Sequence, residues 1–307
     1  MKVAQIGVGG WGRNHARVLS EMGILGAICD GNPERREEFS SKYTVPSYDT
    51  VDELLKREDF DAAFVCTPTS THVDVASHII KAKKHVFVEK PMTYSVSDGM
   101  RLAELAKKNR VLLTCGYIER FNPAVSAVKQ IMLDKEYGEP LVFNFRRKNR
   151  MPLHIMDVGI IYDTAVHDID TALWLFDEEP EVVYARAGSI HHKYEDFVSI
   201  MLGFSKDRVA VISSNWLTPL RVREFEGVCS DAVISLDFIT QKVKISGEKT
   251  IVLPIVKKEP LSLELQSFIG AIQDKNKLVV TPQQAVNVTK IAKAALLSSQ
   301  KGTAIYL

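Results

Sequence analysis

The chain has 307 residues, of which 46% are hydrophobic and 25% charged, values typical of a globular protein. The formal net charge is +1 at pH 7, so no strong overall field favours nucleic acid or an anionic membrane as a partner. No segment approaches ~20 uninterrupted apolar residues, which argues against a membrane span. The first strand begins within the first few residues, and we expect no signal peptide. The length predicts two domains.

The four cysteines are isolated from one another. Cys29, Cys66 and Cys115 each end an apolar run, where cysteine usually serves as a small buried residue, and Cys229 lies in a strand-like segment. No cysteine or histidine spacing indicates a zinc site or a disulfide framework, so we expect no metal. Unpaired cysteines fit a reducing compartment, and we expect a cytoplasmic protein.

The first thirty residues form the pattern strand, glycine-rich turn, helix, strand, acid. A short apolar segment leads into Gly7-Val8-Gly9-Gly10-Trp11-Gly12, an amphipathic stretch follows, and a second apolar run ends at Asp30. In a dinucleotide site, Gly7 permits the tight turn, Gly9 lets the backbone approach the pyrophosphate, and Gly12 lets helix pack on strand. The helix N-terminus presents N–H groups and a positive dipole end to the phosphates. The predicted cofactor residues here are Gly7, Gly9, Gly10, Trp11, Gly12, Asp30 and Arg35.

The acid at the end of the second strand bears on the choice of cofactor. Asp30 lies about twenty residues after the turn, where a carboxylate accepts the ribose hydroxyls of NAD and would repel the 2′-phosphate of NADP. Arg35 and Arg36 leave the alternative open, because they could receive such a phosphate. They could equally be ordinary charges on the next helix, and Arg35 could stack on the adenine ring. We expect NAD, with NADP less favoured.

Strand-like and helix-like segments alternate up to residue 117. The predicted strands after the first thirty residues are 62–66, 85–89 and 111–115, and the predicted helices are 33–42, 51–56, 71–83 and 95–109. Asn32 and Ser95 are the predicted N-caps of the first and last of these helices. The alternation predicts an α/β Rossmann domain at 1–117 with a doubly wound parallel sheet.

The pattern changes after Gly116. The predicted helices are 124–133, 163–175, 261–273 and 282–299, and the predicted strands are 140–147, 182–187, 197–204, 208–214, 222–229, 232–237 and 242–246. Because no long helix separates the later strands, the sheet should be largely antiparallel. We predict an α+β domain at 118–307 with a large open sheet, whose C-terminal helices could pack back on the first domain. Apolar residues on its uncovered face predict a homodimer or homotetramer.

Two segments carry groups suited to chemistry. Lys90 follows a buried strand, at the carboxyl edge of the sheet where ligands bind, and the alternative is an ordinary surface lysine. Asp163 and His167 are i,i+4 neighbours on the predicted helix, so the carboxylate could orient the imidazole for proton transfer. An ordinary helix pair explains that spacing equally well. Asp168 and Asp170 are interpreted as braces of the helix start, without a catalytic role.

These motifs together resemble the Gfo/Idh/MocA oxidoreductases over the whole chain. The resemblance rests on the glycine turn, Cys66-Thr67-Pro68-Thr69 with His72, Glu89-Lys90-Pro91, and Asp163 with His167-Asp168. It implies a Rossmann domain followed by an open sheet used for oligomerisation. It also implies that Lys90 is the active-site lysine, that His167 is the general acid/base and that Asp163 assists it. The residues that would line the cofactor are Thr67, Pro68, His72, Glu89 and Lys90.

Three stretches resemble, within that family, nucleotide-sugar dehydrogenases of the UDP-N-acetylglucosamine 3-dehydrogenase type. They are 157–159 leading into 167–170, 116–123, which contains Tyr117, and 215–219. The basic run 146–150 independently fits a nucleotide-sugar substrate, because its cations could bind the diphosphate of that substrate. A solvated strand edge, kept from aggregating by charge, explains that run equally well. The predicted substrate-binding residues are Lys90, Tyr117, Arg147, Arg150, Asp163 and His167.

The resemblance implies reversible oxidation of a sugar secondary alcohol, with UDP-N-acetylglucosamine at C3 as the specific expectation. Hydride would pass to nicotinamide, His167 would accept the hydroxyl proton, and Lys90 would polarise the oxygen. This requires Lys90 and His167 to meet in one pocket beside the cofactor. The alternatives are a dehydrogenase of a free sugar or cyclitol, a glycosidase that recycles bound NAD, and a non-catalytic NAD-binding regulator. No nucleic-acid or membrane partner is expected.

Overall fold

The computed structural model describes residues 1–151 and 157–307. The chain forms two compact units, one of Met1–Gly116 with Leu261–Val286, and the other of Tyr117–Pro260 with Asn287–Leu307. The first unit therefore contains a segment from late in the chain besides the N-terminal region. Among the described residues, none of the helices combines the length and the hydropathy that a bilayer crossing requires.

The first unit contains a six-stranded parallel sheet with the strand order β3-β2-β1-β4-β5-β6. Its strands are β1 Val3–Ile6, β2 Leu25–Cys29, β3 Ser47–Tyr48, β4 Ala62–Val65, β5 His85–Glu89 and β6 Leu113–Gly116. The predicted doubly wound parallel sheet is confirmed. The strand order reverses beside β1, and the carboxyl ends of β1 and β4 therefore flank the position where ligands bind in open α/β sheets.

Five helices connect these strands: α1 Gly12–Glu21, α2 Pro33–Tyr43, α3 Val51–Arg57, α4 His72–Lys81 and α5 Val96–Asn109. The predicted caps are confirmed, because Asn32 Oδ1 accepts the Arg35 N–H at 2.9 Å and Ser95 Oγ accepts the Asp98 N–H at 3.1 Å. The helix predicted at 71–83 is shorter, since a 3₁₀ turn precedes it and Lys83 adopts a positive φ of 59°.

A later helix, α8 Pro260–Ile272, completes the core of the first unit. Its Phe268 ring packs edge-on against Phe64 of β4 and Phe87 of β5, with ring centroids 5.7 and 5.8 Å away. Aromatic contacts of this kind add to the free energy gained from burial. The sheet that carries the N-terminal motifs is thus stabilised by residues about 180 positions later in the chain.

The second unit contains a nine-stranded sheet with the order β14-β13-β12-β11-β7-β10-β9-β8-β15. Its strands are β7 Pro140–Arg150, β8 Val182–Gly188, β9 Phe197–Gly203, β10 Val209–Asn215, β11 Leu217–Cys229, β12 Val233–Asp237, β13 Lys242–Ser246, β14 Thr250–Val252 and β15 Ile305–Tyr306. The neighbours β7 and β10 run parallel and the other described pairs are antiparallel. The prediction of a mostly antiparallel sheet is confirmed.

One strand is longer than predicted. The strand expected at 222–229 begins at Leu217, although Pro219 lacks the N–H that a regular ladder requires. The register with β7 shifts between Leu217 and Val222, and this irregularity accommodates the proline.

Among the described residues of the second unit, three α-helices occur: α6 Pro123–Asp134, α7 Val166–Phe176 and, for most of its length, α9 Pro282–Lys301. The helix predicted at 163–175 is not a uniform α-helix. Residues Ile161–Ala165 form a π-helical turn, and α7 follows directly. Single π turns inside helices are frequent at functional sites, because they change which side chains share a face.

Candidate active site

The glycine turn leaves no room for side chains at two positions. Gly7 has a φ of 80°, and a Cβ there would lie 2.6 Å from the Cys66 carbonyl oxygen. A Cβ on Gly12 would lie 2.0 Å from the Gly7 carbonyl oxygen. The turn between β1 and α1 is therefore as tight as a dinucleotide-binding turn must be, with α1 beginning directly behind it.

Asp30 ties the end of β2 to this turn. Its Oδ2 accepts the Val8 N–H at 2.9 Å and its Oδ1 accepts the Asn32 N–H at 2.9 Å. Each carboxylate oxygen has two lone pairs, so both retain capacity to accept a ribose hydroxyl.

The two arginines of α2 occupy different positions. Arg36 donates from Nη1 to the Asp30 carbonyl oxygen at 2.8 Å, which commits it to the backbone. Arg35 places Nη1 3.8 Å from Asp30 Oδ2 and 2.8 Å from the position a Cβ would take on Gly9. Arg35 therefore lies over the glycine turn, where it can reach a bound nucleotide. The exposed Trp11 is the residue that precedes α1, at the end of the glycine turn.

Glu89 and Lys90 follow one another at the carboxyl end of β5. Glu89 is buried, its Oε1 lies 2.8 Å from His15 Nε2, and its Oε2 accepts the Lys90 backbone N–H at 3.0 Å. The Lys90–Pro91 bond is cis. Lys90 itself is half-buried. Its backbone is thus held by a buried carboxylate, and only its side chain extends from the strand end.

His15 was not among the predicted site residues. Together with Gly12, Ala16 and Leu19 it forms the buried face of α1, at the i, i+3, i+4, i+7 spacing of an amphipathic helix. A histidine at such a position must find a polar partner, because an unpaired buried polar group is costly. A histidine on the apolar face of a predicted helix is therefore the signal in the sequence that could have identified His15.

His15, Cys66 and Glu89 each place a potential ligand atom within 4.8 Å of the others. A metal binds the thiolate rather than the thiol, and burial raises the pKa of Cys66 well above its ordinary value. His15 Nε2 and Glu89 Oε1 are already hydrogen-bonded to each other. We therefore interpret His15 and Glu89 as a buried hydrogen-bonded pair with the Cys66 thiol beside it.

The loop after β4 carries Thr67 and Pro68, and His72 is the first residue of α4, which follows it. Thr71 Oγ1 donates to Thr67 Oγ1 at 2.8 Å, which closes the 3₁₀ turn Thr69–Thr71. His72 is 1% exposed. Its Nδ1 lies 2.9 Å from the Pro91 carbonyl oxygen and its Nε2 lies 2.9 Å from that of Thr67. Both ring nitrogens thus face backbone oxygens of the protein rather than an open cofactor groove.

In the second unit, Asp163 lies in the π turn and His167 in the first turn of α7. The two residues are therefore not the i,i+4 neighbours on a regular α-helix that the sequence predicts. Asp163 Oδ2 accepts a hydrogen bond of 3.0 Å from Thr164 Oγ1, which in turn accepts one of 3.1 Å from Trp216 Nε1. The buried Trp216 thereby fixes the turn on which Asp163 lies.

Glu195 is a second group that sequence reasoning missed. Its backbone oxygen accepts the Ile160 N–H at 2.8 Å, and its Oε1 approaches the Ile161 N–H at 3.4 Å, so it caps the π turn. Burial raises the pKa of this carboxyl above its ordinary value. A Cβ on Gly159 would lie 2.3 Å from the Glu195 carboxyl, so a side chain there would displace this carboxyl from the π turn.

The basic run on β7 divides into buried and exposed members. Arg147 is 2% exposed, pairs with Asp168 at 2.8 Å and with Glu119 at 3.0 Å, and is fully engaged by these carboxylates. Burial alone would lower the pKa of Arg147, but Asp168 and Glu119 raise it above its ordinary value. These contacts favour a structural role over the predicted diphosphate contact. Arg150 is exposed at the end of the strand.

The two aspartates after His167 are both held by buried arginines. Arg120 binds Asp170 through Nε at 2.9 Å and through Nη2 at 2.6 Å, and Arg147 binds Asp168. The interpretation of Asp168 and Asp170 as braces agrees with these pairs, which anchor the start of α7. Tyr117, a predicted substrate contact, is 1% exposed and directly precedes the 3₁₀ turn Ile118–Phe121 that carries Arg120.

Comparison with protein families agrees with this architecture. Residues 1–117 match the model described as the oxidoreductase family with an NAD-binding Rossmann fold. Residues 125–249 match the GFO/IDH/MocA C-terminal domain.

Comparison with individual proteins shows two kinds of relative. UDP-N-acetylglucosamine 3-dehydrogenase of Acidithiobacillus ferrooxidans is 26% identical over 283 residues, covering 89% of this chain and 88% of the relative. A solved structure of that enzyme superposes with a TM-score of 0.91 at 25% identity, covering 98% of both chains. Myo-inositol 2-dehydrogenase of Thermotoga maritima is 33% identical over 192 residues, covering 60% of this chain and 58% of the relative.

One family model matches the parallel sheet and the other matches most of the mixed sheet. Both relatives described above are named dehydrogenases. The glycine turn and Asp30 lie within the residues that match the NAD-binding model. The chain therefore belongs to the Gfo/Idh/MocA family and is an NAD-dependent dehydrogenase acting on CH–OH groups.

Proposed function

We propose that this enzyme oxidises a secondary alcohol of a nucleotide sugar, with C3 of UDP-N-acetylglucosamine as the specific candidate. The observation that carries the proposal is the extent of the similarity to UDP-N-acetylglucosamine 3-dehydrogenase, which covers 98% of both chains in three dimensions. A cyclitol such as myo-inositol is the second candidate. It is favoured by the higher identity, 33%, to an inositol dehydrogenase over 192 residues.

In this mechanism, the carbinol carbon loses a hydride and its hydroxyl loses a proton. NAD, when bound, supplies the hydride acceptor. His167 takes the hydroxyl proton as general base, and an imidazole suits that task because it titrates near neutral pH. The Lys90 ammonium donates a hydrogen bond to the same oxygen and stabilises the negative charge that develops there. Asp163 orients His167 or accepts a sugar hydroxyl.

The two units support these assignments separately. In the first, Glu89 holds the Lys90 backbone at the carboxyl end of β5, the edge of the sheet where ligands bind. In the second, the chain Trp216–Thr164–Asp163 fixes the π turn, and buried ion pairs fix the start of α7. A catalytic group needs such rigid support, because small displacements cost rate.

The proposal is tested by incubating the purified enzyme and NAD with UDP-N-acetylglucosamine, free N-acetylglucosamine and myo-inositol in parallel. NADH formation with the nucleotide sugar alone supports the proposal. NADH formation with myo-inositol alone supports the cyclitol candidate instead. Cleavage of a glycosidic bond without net NADH would indicate an NAD-recycling glycosidase. Intact NAD binding without turnover of any compound would indicate a regulator.

Arg150, exposed at the end of β7, remains the proposed contact for a substrate diphosphate.

We further propose a cytoplasmic homo-oligomer that forms through the sheet of the second unit. Tyr184, Met201 and Val211 lie side by side on β8, β9 and β10 and point outward, with exposed fractions of 37%, 46% and 36%. Three adjacent apolar side chains on an open sheet face are typical of an isologous interface. The four cysteines are free thiols, as a reducing compartment requires.

Met201→Lys combined with Val211→Lys is expected to convert the oligomer into a monomer, because each change would bury an unpaired charge at the interface. Size-exclusion chromatography with light scattering measures the mass. Val256→Lys, at a loop position that is 75% exposed, is the matched control and should leave the mass unchanged. A monomeric native protein, or a double variant with the native mass, would refute this interface.

A further inference from the structure

A buried histidine contacts both the loop that follows β4 and the loop that follows β5. His72, the first residue of α4, is 1% exposed, and its two ring nitrogens each lie 2.9 Å from a carbonyl oxygen. One oxygen belongs to Thr67, in the loop after β4, and the other to Pro91, directly after Lys90. The imidazole thus spans from one loop to the other.

Each hydrogen bond between the His72 ring and a carbonyl oxygen requires a proton on the ring nitrogen. A carbonyl oxygen only accepts hydrogen bonds, so the ring donates to one of the two oxygens in its neutral form and to both when each nitrogen carries a proton. Hydrogen bonds to a charged donor are about twice as strong as neutral ones. Few other side chains offer two donors on opposite edges of a small rigid ring. The contact therefore depends on histidine as a residue type.

A second buried histidine acts on the other side of Lys90. His15 binds Glu89 Oε1, while Glu89 Oε2 accepts the Lys90 backbone N–H at 3.0 Å. The dipeptide Lys90–Pro91 is therefore held at both ends, at the N–H of Lys90 through Glu89 and at the carbonyl of Pro91 through His72. The helices that supply the histidines, α1 and α4, begin at the ends of β1 and β4, which border the cofactor turn.

We infer that His72 is a positioning residue that ties the Thr67 loop to the Pro91 carbonyl and thereby fixes the catalytic amine of Lys90. This inference rests on the proposed function, because it assigns His72 an effect on catalysis through Lys90. It differs from a cofactor-lining role, since both ring nitrogens are directed at the protein backbone. It also differs from simple packing, because an aromatic ring without donors would fill the same space but donate to neither oxygen.

The test uses His72→Phe, which keeps a ring but has no donor, and His72→Gln, which keeps one donor group. We expect kcat to fall about 100-fold for His72→Phe, the size of effect that a displacement of about 1 Å produces. The loss should be smaller for His72→Gln, and the Kd for NAD should change by less than about threefold in both. His78→Phe, an exposed position on the same helix, is the matched control and should retain native kcat.

A double-variant comparison separates positioning from a general loss of structure. If His72 acts through Lys90, His72→Phe should lower kcat little further once Lys90 has been replaced by methionine, because effects transmitted through one group are not additive. The inference would be overturned if the losses in kcat of the two single variants multiply in the double variant, or if His72→Phe has a native kcat. Should His72→Phe fail to fold, the same comparison with His72→Gln decides. A native kcat for Lys90→Met alone would instead refute the proposed role of Lys90, and absence of NADH formation by the native enzyme would refute the proposed function.

Discussion

Lys90→Met is expected to lower kcat by about 10²–10³-fold, the loss typical when a donor to a developing oxyanion is removed. Methionine has a similar length and hydrophobic stem but no charge and no N–H. The backbone at Lys90 is held by Glu89 and, through Pro91, by His72, so the loss should be confined to the amine. NAD binding should survive, since the glycine turn and Asp30 are untouched.

The measurement is steady-state NADH formation at saturating NAD and substrate, together with a fluorescence titration of NAD. Lys81→Met, an exposed position at the end of α4, controls for the loss of a surface charge and should retain native turnover. An unchanged kcat for Lys90→Met would remove Lys90 from the mechanism. A large rise in the Kd for NAD would show that Lys90 serves cofactor binding instead.

Arg120→Met is expected to lower the free energy of unfolding by about 3–5 kcal/mol, the typical result of leaving one charge of a buried pair uncompensated. Arg120 and Asp170 have side chains that are 2% and 1% exposed, and they share two hydrogen bonds of 2.9 and 2.6 Å. Without the guanidinium, the Asp170 carboxyl must stay buried without its partner. Because Asp170 lies on α7, the change should destabilise the helix that carries His167.

Equilibrium unfolding in urea measures this effect, with Trp174 as a local reporter because its ring centroid lies 5.7 Å from the Arg120 guanidinium carbon. Arg17→Met is the matched control. Its partner Glu21 is exposed, and loss of that pair should cost no more than about 1 kcal/mol. The double variant Arg120→Met/Asp170→Leu should recover part of the lost stability, since no charge then remains buried. If Arg120→Met and Arg17→Met lower the free energy of unfolding equally, the assignment of Arg120–Asp170 as a stabilising buried pair is contradicted.

The local elements of both units could be predicted because their signals lie within a few residues. Asn32 and Ser95 cap helices through N–H groups three residues away, and β5 and β13 have the predicted bounds. Gly7 and Gly12 are required by sterics inside a single turn. Such features depend on backbone conformation, on hydrophobic periodicity and on contacts between near neighbours, all of which can be read from the chain itself.

Other features were decided by partners far along the chain. Arg147 had the appearance of a free cation in a basic run, yet Asp168, 21 positions later, and Glu119, 28 positions earlier, make it a buried ion pair. His72 was expected to line the cofactor, yet it binds the carbonyl of Pro91, 19 positions away. The helix expected at 163–175 begins with a π turn that Glu195 and Trp216 hold in place.

The sequence by itself thus determined the order of the helices and of all strands except the short β3, β14 and β15. It also determined the glycine turn, the caps and the residue types that chemistry requires. The tertiary structure alone decided which charged and polar side chains are buried together, and that α8 completes the core of the first unit. The physical reason is that a polar side chain is buried only where a partner satisfies it, and the sequence does not show which distant residue the fold brings within hydrogen-bonding distance.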